Sequence, residues 1–411
     1  MGKELFRVLS PQQALELMLE KSAVVSASEL VPLDLAAGRV LVEDVLAPDD
    51  YPPFDRSAVD GYAVRSVDTA GASESIPAEL KIVGEVPMGR ASNLELARGQ
   101  AALVHTGGAV PAGADAVVML ENSETIDPST VAIFKAVAPG QNIIHRGEDY
   151  ARGEVLLSGG KILREPELGL LAAGGILQVA VRTRPRVAIL AQGDEIVTRE
   201  KLPGPGQMRD VHLTTLSAFC QRCGAEPVCS WPILPDRREA ILQAAREAVA
   251  ACDLLIFTAG SSVSARDATS EVIQELGSPG LLFHGLSMRP GKPTLGAVCG
   301  GKIVFGLPGN PVSALVAFRR LVAPVIEKMA GRPVLPDFRL PARLARAVPS
   351  EAGREEWVAV RLEKQENGWL AWPIFGKSNS LGVLARSNGL VMIPLERTGL
   401  HEGEEVLVHP W

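Results

Sequence analysis

Aromatic residues and cysteines are few in this chain, and it lacks long apolar runs. Its 411 residues include only 10 Phe, 5 Trp, 3 Tyr and 5 Cys, which excludes a disulfide framework and favours cores built from small aliphatic side chains. The most apolar stretch, residues 168–181, is interrupted by Gly174, Gly175 and Gln178 and is too short to cross a bilayer. The N-terminal segment lacks the apolar core of a signal peptide. We therefore expect a soluble cytoplasmic protein.

Positive charge is also in short supply. Lys and Arg number 41 against 48 Asp and Glu, which gives a formal net charge of −7. No block of basic residues stands out, so we expect neither a nucleic-acid partner nor a membrane partner. An acidic protein can still bind small-molecule anions where positive groups and backbone N–H donors converge in one cleft.

Glycine and proline, by contrast, are abundant, with 40 and 30 residues, which indicates many turns. Short β-rich runs over about 76–137 predict a separate all-β module. Strands alternate with helices over 186–330, the pattern of βαβ units and a doubly wound parallel sheet. After a break at residues 331–333 the chain returns to short strands, which predicts a small C-terminal β-barrel. The expected fold class is therefore multidomain α/β plus β.

Three loops follow strands of the predicted parallel sheet at their carboxyl ends, where such sheets bind ligands. They are residues 191–195 (AQGDE), 258–267 (TAGSSVSARD) and 307–311 (LPGNP). Two of them lead into helices, whose free N-terminal N–H groups attract phosphate and other oxyanions. For one loop alone, close packing of helices on the sheet is the better explanation. None is a P-loop or a Gly-x-Gly-x-x-Gly motif, so P-loop hydrolysis and dinucleotide binding are disfavoured.

Carboxylates lie close to these loops, with Asp194 and Glu195 in the first and Asp267 at the end of the second. Asp55 and Asp60 fall in an unusual segment, YPPFDRSAVDGYAV, that suits neither a simple helix nor a simple strand. Hard oxygen ligands of this kind suit Mg²⁺ that bridges phosphate oxygens. The alternative is that the two aspartates of this segment only cap turns. We favour a functional role for the segment.

Two other groups of side chains have simpler explanations. Cys220, Cys223 and Cys229 with His212 superficially resemble a zinc-ligand spacing. The first two fall in a predicted helix, however, where cysteine behaves as a small apolar residue. His105 precedes a Thr-Gly-Gly turn, and we interpret it as a packed histidine rather than a site residue.

Five segments, taken together and in this order, resemble the MoeA family of molybdopterin molybdenumtransferases, to which the gephyrin E domain belongs. They are 52–64 (PPFDRSAVDGYAV), 105–121 (HTGGAVPAGADAVVMLE), 140–157 (GQNIIHRGEDYARGEVLL), 186–196 (RVAILAQGDEI) and 306–315 (GLPGNPVSAL). The resemblance covers essentially the whole chain.

The resemblance implies an elongated homodimer of four-part protomers. The four parts would be a linking and dimerisation domain (1–50 with 141–180), an inserted β-rich domain (51–140), an α/β molybdopterin-binding domain (181–330) and a C-terminal β-barrel (331–411). The active cleft would lie between the α/β domain of one subunit and the β-rich domain of the other.

The resemblance also implies a reaction, the Mg²⁺-dependent insertion of molybdate into adenylylated molybdopterin with release of AMP. Mg²⁺, molybdate and molybdopterin would be the cofactors and substrates, and a molybdopterin-adenylylating protein would be the partner. The alternative is a divergent paralogue that binds molybdopterin or scaffolds cofactor delivery without efficient turnover. Tungstate in place of molybdate stays open, because the two oxyanions have nearly the same size and charge.

Motif by motif, the resemblance assigns roles to individual side chains. Asp60, Thr106, Glu195 and Asp267 would be catalytic, and the three acidic ones would bind Mg²⁺. The substrate-binding residues would be Asp194, Thr258, Gly260, Ser262, Arg289, Lys292, Pro308, Gly309, Pro311 and Ser380. The two prolines would shape the loop beside the pterin, and the lysine would offset negative charge on the substrates.

Several positions depart from the family pattern. Ala259 and Ser264 stand where the anion-binding loop of the family has glycines, and such glycines allow positive φ angles or a close approach of backbone to phosphate. Arg289, Gln192 and His212 stand in place of a lysine, a threonine and an asparagine. The carboxylates are retained while the anion-binding loop is altered, which predicts changed ligand affinity more than lost chemistry.

Overall fold

The computed structural model describes residues 8–258, 263–333 and 338–411, with the backbone alone for 263–267. Three six-stranded sheets dominate these ranges. One is a curled half-barrel, one is a mixed sheet covered by helices, and one closes into a barrel. The expected multidomain α/β plus β fold class is therefore confirmed. Across the same ranges, no helix has both the length and the apolar composition that a bilayer crossing needs.

The described chain begins with one helix and two short strands. These are α1 (Pro11–Lys21), β1 (Ser28–Pro32) and β2 (Val45–Leu46). Ser10 caps α1, because its hydroxyl accepts the Gln13 N–H while the Gln13 side chain accepts the Ser10 N–H. Ala14 and Met18 of this helix are fully buried in the core of the α/β domain. The first helix is thus packed against a part of the chain that lies far downstream.

Along the chain, the half-barrel lies between the two parts of the predicted linking domain, residues 1–50 and 141–180. The strands in this region are β3 (Arg56–Ser57), β4 (Gly61–Val64), β5 (Ala78–Glu85), β6 (Gln100–Val104), β7 (Ala116–Met119), β8 (Ser123–Asp127) and β9 (Thr130–Ile133). All except β3 form one sheet in the order β7-β4-β6-β5-β9-β8. β4 is buried on both faces, with Tyr62 and Val64 in one small core and Ala63 in another.

The segments before and after the half-barrel pair with each other. The later elements are β10 (Ile143–Ile144), β11 (Val155–Leu157), α2 (Glu165–Ala173) and β12 (Gln178–Arg182). β10 pairs with β3, β11 with β2 and β12 with β1, in each case antiparallel. Leu41, Leu163 and Leu171 lie in the core that these segments share. The domain boundaries given above stay a prediction.

The start of α2 carries a carboxylate whose ionisation supports the fold. Glu167 is 5% exposed and accepts hydrogen bonds from the guanidinium and the N–H of Arg164, which lower its pKa from 4.5 to about 2. The ionised form stabilises the fold fully above pH 4.5, and this contribution is lost as the pH falls toward 2. We expect Glu167→Gln to melt below the wild type at neutral pH, with a difference that shrinks in acid. Thermal unfolding across this pH range tests it, and a pH-independent difference would contradict it.

The α/β domain follows. Its strands are β13 (Arg186–Ala191), β14 (Ile196–Val197), β15 (Met208–Arg209), β16 (Glu226–Val228), β17 (Leu254–Thr258), β18 (Pro279–His284), β19 (Met288–Arg289), β20 (Leu295–Cys299) and β21 (Lys302–Leu307). Its helices are α3 (His212–Arg222), α4 (Arg238–Ala251), α5 (Val263–Glu275), α6 (Pro311–Ala317) and α7 (Ala323–Met329). A π-helical stretch, Phe318–Val322, joins the last two.

The central sheet of this domain runs β16-β13-β17-β21-β20-β18. Its first four strands are parallel, as the alternation of strands and helices predicts, whereas β20 runs antiparallel to both of its neighbours, β21 and β18. The sequence pattern predicts neither β20 nor β18. Helices cover both faces and form one core on each side. After β13 the chain forms β16, which lies on one side of β13 in the sheet. It then crosses over to form β17, which lies on the other side of β13. Ligands of such sheets bind at the carboxyl ends of the strands that flank this reversal.

The C-terminal residues close into a small barrel. The elements are β22 (Leu340–Leu344), β23 (Val348–Pro349), β24 (Glu355–Gln365), β25 (Gly368–Pro373), α8 (Leu381–Ala385), β26 (Gly389–Ile393), β27 (Gly399–Leu400) and β28 (Glu405–Pro410). Five strands close the barrel because β24 pairs with both β25 and β26. β24 also pairs in parallel with β19, and Arg320 forms a 3.1 Å ion pair with Glu355. The predicted barrel is confirmed, and it is joined directly to the α/β domain.

Candidate active site

Asp60 lies immediately before β4 on the half-barrel. Its carboxylate is half exposed, and Oδ1 accepts a hydrogen bond of 2.9 Å from the Thr106 N–H, just after β6. This hydrogen bond is the main reason why the pKa of Asp60 lies below its usual range. The structure thus brings two predicted catalytic residues together, and Thr106 contributes its backbone N–H.

His105 lies beside this pair and is not a core residue. Its side chain is 39% exposed, so the expectation of a packed histidine is wrong. Its Nε2 lies 2.8 Å from Oε1 of Glu85, at the end of β5, and its Nδ1 lies 3.6 Å from Oδ1 of Asp60. The hydrogen bond to Glu85 raises the pKa of His105, and Asp60 adds to this effect.

Backbone hydrogen bonds hold the 51–64 segment against the loop that follows β6. The Gly107 N–H donates to the Ser57 carbonyl at 2.7 Å, and the Ser57 N–H donates to the Gly108 carbonyl at 2.9 Å. Gly108 leaves no room for a side chain, because a Cβ there would lie 2.9 Å from the His105 carbonyl oxygen. These contacts therefore fix the backbone of the segment that carries Asp60.

Asp55, in the same segment, contacts a different loop. Its carboxylate accepts the Arg146 N–H at 2.7 Å and lies 3.5 Å from Nδ1 of His145. Asp55 therefore ties the segment to the loop between β10 and β11. The turn-stabilising explanation suits Asp55, whereas Asp60 has the contacts of a site residue.

A second acidic group lies at the carboxyl edge of the α/β sheet. Asp194 and Glu195 follow β13, and the Asp236 N–H, just before α4, donates to Oδ1 of Asp194 at 3.2 Å. Burial raises the pKa of Asp236, and the charges of Asp194 and Glu195 raise it further. Oδ1 of Asp236 is buried without a hydrogen-bond partner. Sequence reasoning missed this third carboxylate.

The strands that carry the three predicted loops end at one level. Ala191, Thr258 and Leu307 are neighbours in register on β13, β17 and β21. Thr258 is buried, and its hydroxyl donates to the Leu190 carbonyl at 3.4 Å. The loops therefore leave the sheet side by side, as a shared binding edge requires.

The second loop is partly outside the described residues. Gly260 and Ser262 lie there, and so does the side chain of Asp267. Beyond the loop, the amide nitrogen of Gln192 donates to the Thr269 hydroxyl at 2.8 Å in a buried contact. Gln192, one of the departures from the family pattern, thus links α5 to the first loop.

The third loop is held by His212, another departure from the family pattern. Nε2 of this buried histidine donates to the Gly309 carbonyl at 2.9 Å, and burial lowers the pKa of His212. Pro308 is buried, and Pro311 opens α6. The two predicted prolines therefore lie in a loop whose backbone accepts a hydrogen bond from the first residue of α3.

The remaining predicted residues lie toward the barrel. The Val312 N–H donates to the Ser378 carbonyl at 3.0 Å, which brings the segment that carries Ser380 to the start of α6. The Arg289 guanidinium lies 3.5 Å from the buried Glu356 carboxylate of the barrel. Lys292 is exposed between β19 and β20. Part of the positive charge of Arg289 is thus balanced by the protein itself.

The cysteine group does not have the character of a metal site. Cys220 and Cys223 are buried at the end of α3, and burial raises the pKa of Cys223 to about 12. Metal ligands need the opposite shift, toward the thiolate. Both thiols pack in an apolar core, as expected of small apolar residues.

The acidic group at the carboxyl edge fits a hard cation that keeps part of its water shell. Within the described ranges, no three His, Cys, Asp or Glu side chains are placed so that they could hold a metal ion together. Mg²⁺ needs only one or two carboxylates when substrate phosphates supply other oxygens. Asp194, Glu195 and Asp236, with the unpartnered oxygen on the last, meet that requirement.

The predicted catalytic residues lie on different parts of the fold. Asp60 and Thr106 belong to the half-barrel, whereas Glu195 belongs to the α/β domain. The roles assigned to the individual site residues stay predictions.

Comparisons with known proteins cover almost the entire chain. The model of the MoeA N-terminal region (domain I and II) matches residues 9–175, that of a probable molybdopterin binding domain matches 188–328, and that of the MoeA C-terminal region (domain IV) matches 341–411.

Individual relatives are similar over most of their lengths. A molybdopterin molybdenumtransferase from Nostoc sp. is 35% identical over 392 residues, which cover 93% of this chain and 88% of the relative. Molybdopterin molybdenumtransferase 2 from Mycobacterium tuberculosis is 36% identical, covering 92% and 94%. The crystal structure of the molybdopterin biosynthesis moeA protein from Pyrococcus horikoshii has a TM-score of 0.84 at 34% identity, covering 98% and 100%.

The fold, the site and these matches together define a transferase of molybdenum cofactor biosynthesis. The chain belongs to the MoeA family. The family membership inferred from the five sequence segments is therefore confirmed.

Proposed function

We propose that this protein inserts molybdate into adenylylated molybdopterin, with Mg²⁺ and with release of AMP, and that it does so in the cytoplasm. The observation that carries the proposal is the presence of two acidic groups, one on the half-barrel and one at the carboxyl edge of the α/β sheet. The chain that holds them is similar throughout to proteins named for molybdenum transfer. A molybdopterin-adenylylating protein would supply the substrate.

Each group has a task in this reaction. Glu195 and one neighbouring carboxylate at the carboxyl edge, Asp194 or Asp236, would hold the Mg²⁺, which when bound would shield the negative charge of the phosphate oxygens at the bond that releases AMP. Asp60, whose pKa is lowered by the Thr106 N–H, would approach the same bond from the half-barrel. The start of α5 offers N–H groups to an oxyanion.

Two copies of the chain would be needed to complete the site. The two acidic groups lie on different parts of the described fold, one beside β4 and one after β13, and the linking segments expose apolar side chains that suit a contact with a second copy. The exposed side chains are Leu30, Leu35, Leu46, Val155 and Leu177, the last of them 80% exposed. We therefore propose a homodimer in which Asp60 of one copy faces Glu195 of the other.

The direct test is a reconstitution with purified protein, adenylylated molybdopterin, Mg²⁺ and either molybdate or tungstate. We expect AMP release that depends on both the oxyanion and Mg²⁺, together with activation of an apo-molybdoenzyme. AMP release that is independent of any oxyanion would contradict the proposal. Activity with tungstate alone would change the substrate and keep the reaction class.

A paralogue that binds molybdopterin or scaffolds cofactor delivery without efficient turnover is the second candidate. The ion pair between Arg289 and Glu356 favours it, because this pair reduces the positive charge available to a substrate anion. Stoichiometric binding of molybdopterin with no AMP release would support this candidate and exclude the first.

A further inference from the structure

His105 has no task in the function proposed above, although it has a carboxylate on each side. Glu85 ends β5, His105 follows β6 and Asp60 precedes β4. These three strands are direct neighbours in the half-barrel sheet, in the order β4-β6-β5. The three side chains therefore form a row across one end of the sheet, with the imidazole between the two carboxylates.

The row restrains Asp60 from one side. Oδ1 of Asp60 accepts the Thr106 N–H at 2.9 Å and lies 3.6 Å from Nδ1 of His105. The imidazole is itself held by the 2.8 Å hydrogen bond between Nε2 and Glu85. A half-exposed carboxylate with one backbone hydrogen bond could turn about its own axis, and a fixed ring beside Oδ1 limits that rotation.

We propose that His105, anchored by Glu85, is a positioning residue that fixes the orientation of the Asp60 carboxylate for the reacting ligand. This inference rests on the proposed function, in which Asp60 acts in the cleft. Residues that orient a metal ligand from outside its coordination shell typically affect metal affinity or activity by about 10- to 100-fold. We expect an effect of the same order from a residue that orients Asp60.

A purely structural role makes a different prediction. Ion pairs between exposed side chains contribute little to folding stability, and both His105 and Glu85 are well exposed, at 39% and 56%. Loss of a structural contact of this kind would therefore leave both stability and turnover almost unchanged. Loss of a positioning contact lowers turnover alone.

The test removes the imidazole of His105 and then places another N–H donor at the same position. In the reconstituted reaction, His105→Ala is expected to lower kcat by about 10- to 100-fold with an unchanged KM for adenylylated molybdopterin and an unchanged melting temperature. His105→Gln, which keeps an N–H donor, should recover part of the loss. Glu85→Gln should lower kcat less than His105→Ala, because the ring stays in place with a weaker anchor.

His145→Ala is the matched control. His145 is 56% exposed and lies 3.5 Å from Asp55, so the substitution removes the same ring beside a carboxylate of the same module. It should leave kcat unchanged. An unchanged kcat in His105→Ala, or an equal loss in His145→Ala, would overturn the proposal.

A second measurement separates this proposal from the proposed function. In crystal structures of the wild type and of His105→Ala, the Asp60 carboxylate should be ordered in the first and spread over several orientations in the second. If the wild type releases no AMP, the proposed function fails, and the crystal structures still decide the positioning role. An equally ordered Asp60 in both proteins would refute it.

Discussion

Asp60→Asn should lower molybdate-dependent AMP release by at least about 100-fold, the lower end of the loss typical of an acid or base residue in the reaction. The asparagine side chain can still accept the Thr106 N–H through its amide oxygen, so the local structure is retained. What is lost is the negative charge of the carboxylate. AMP quantified by chromatography measures the effect, and circular dichroism checks that the fold is intact.

Asp55→Asn is the matched control for that substitution. Asp55 lies five residues earlier in the same segment but contacts Arg146 and His145 instead of the Asp60 group. We expect a lower melting temperature and an unchanged kcat for the folded protein. Wild-type activity in Asp60→Asn would remove Asp60 from the site, and equal inactivity of both variants would remove the distinction between them.

Mixing two inactive variants should restore activity. If Asp60 and Glu195 of one site come from different copies, Asp60→Asn and Glu195→Gln homodimers each lack one group at both sites. A mixed dimer would have one site with both substitutions and one site with neither. Random exchange of subunits would then give about a quarter of the wild-type activity, because a two-fold dimer has two equivalent sites.

The outcome decides where the site is assembled. Activity that appears only after subunits of the two variants have exchanged means that the site is shared between copies. If the mixture stays as inactive as the separate variants although mixed dimers are present by mass spectrometry, both groups act within one chain. Subunits that never exchange can be replaced by co-expression with two different affinity tags.

The elements that can be predicted from the sequence are those whose apolar pattern depends only on residues close to each other along the chain. Alternating strands and helices marked β13, β17 and β21, which are buried parallel strands with continuous apolar runs. β18 and β20 were missed because glycines interrupt these short runs, and short apolar runs do not by themselves distinguish strand from helix.

The side chains that sequence reasoning misjudged are those whose partners lie far away along the chain. Asp236 received no role because its neighbours Asp194 and Glu195 come from a different strand and loop. His105 was interpreted as a packed residue because its environment depends on Glu85, which lies on a neighbouring strand. Periodicity reports which face a residue occupies, but it does not report which side chain of another strand it meets.

The N-terminal helix α1 has a consequence for how this chain is made. Its apolar side, with Ala14 and Met18, is buried in a core that includes Val325 and Ile326 of α7. About 300 residues separate the two helices, so a ribosome that adds about 5–20 residues per second needs roughly 15–60 s to deliver the partner. During that interval the α7 residues that bury the apolar side of α1 have not yet been synthesised. The apolar side of α1 can therefore be buried only late in the synthesis of the chain.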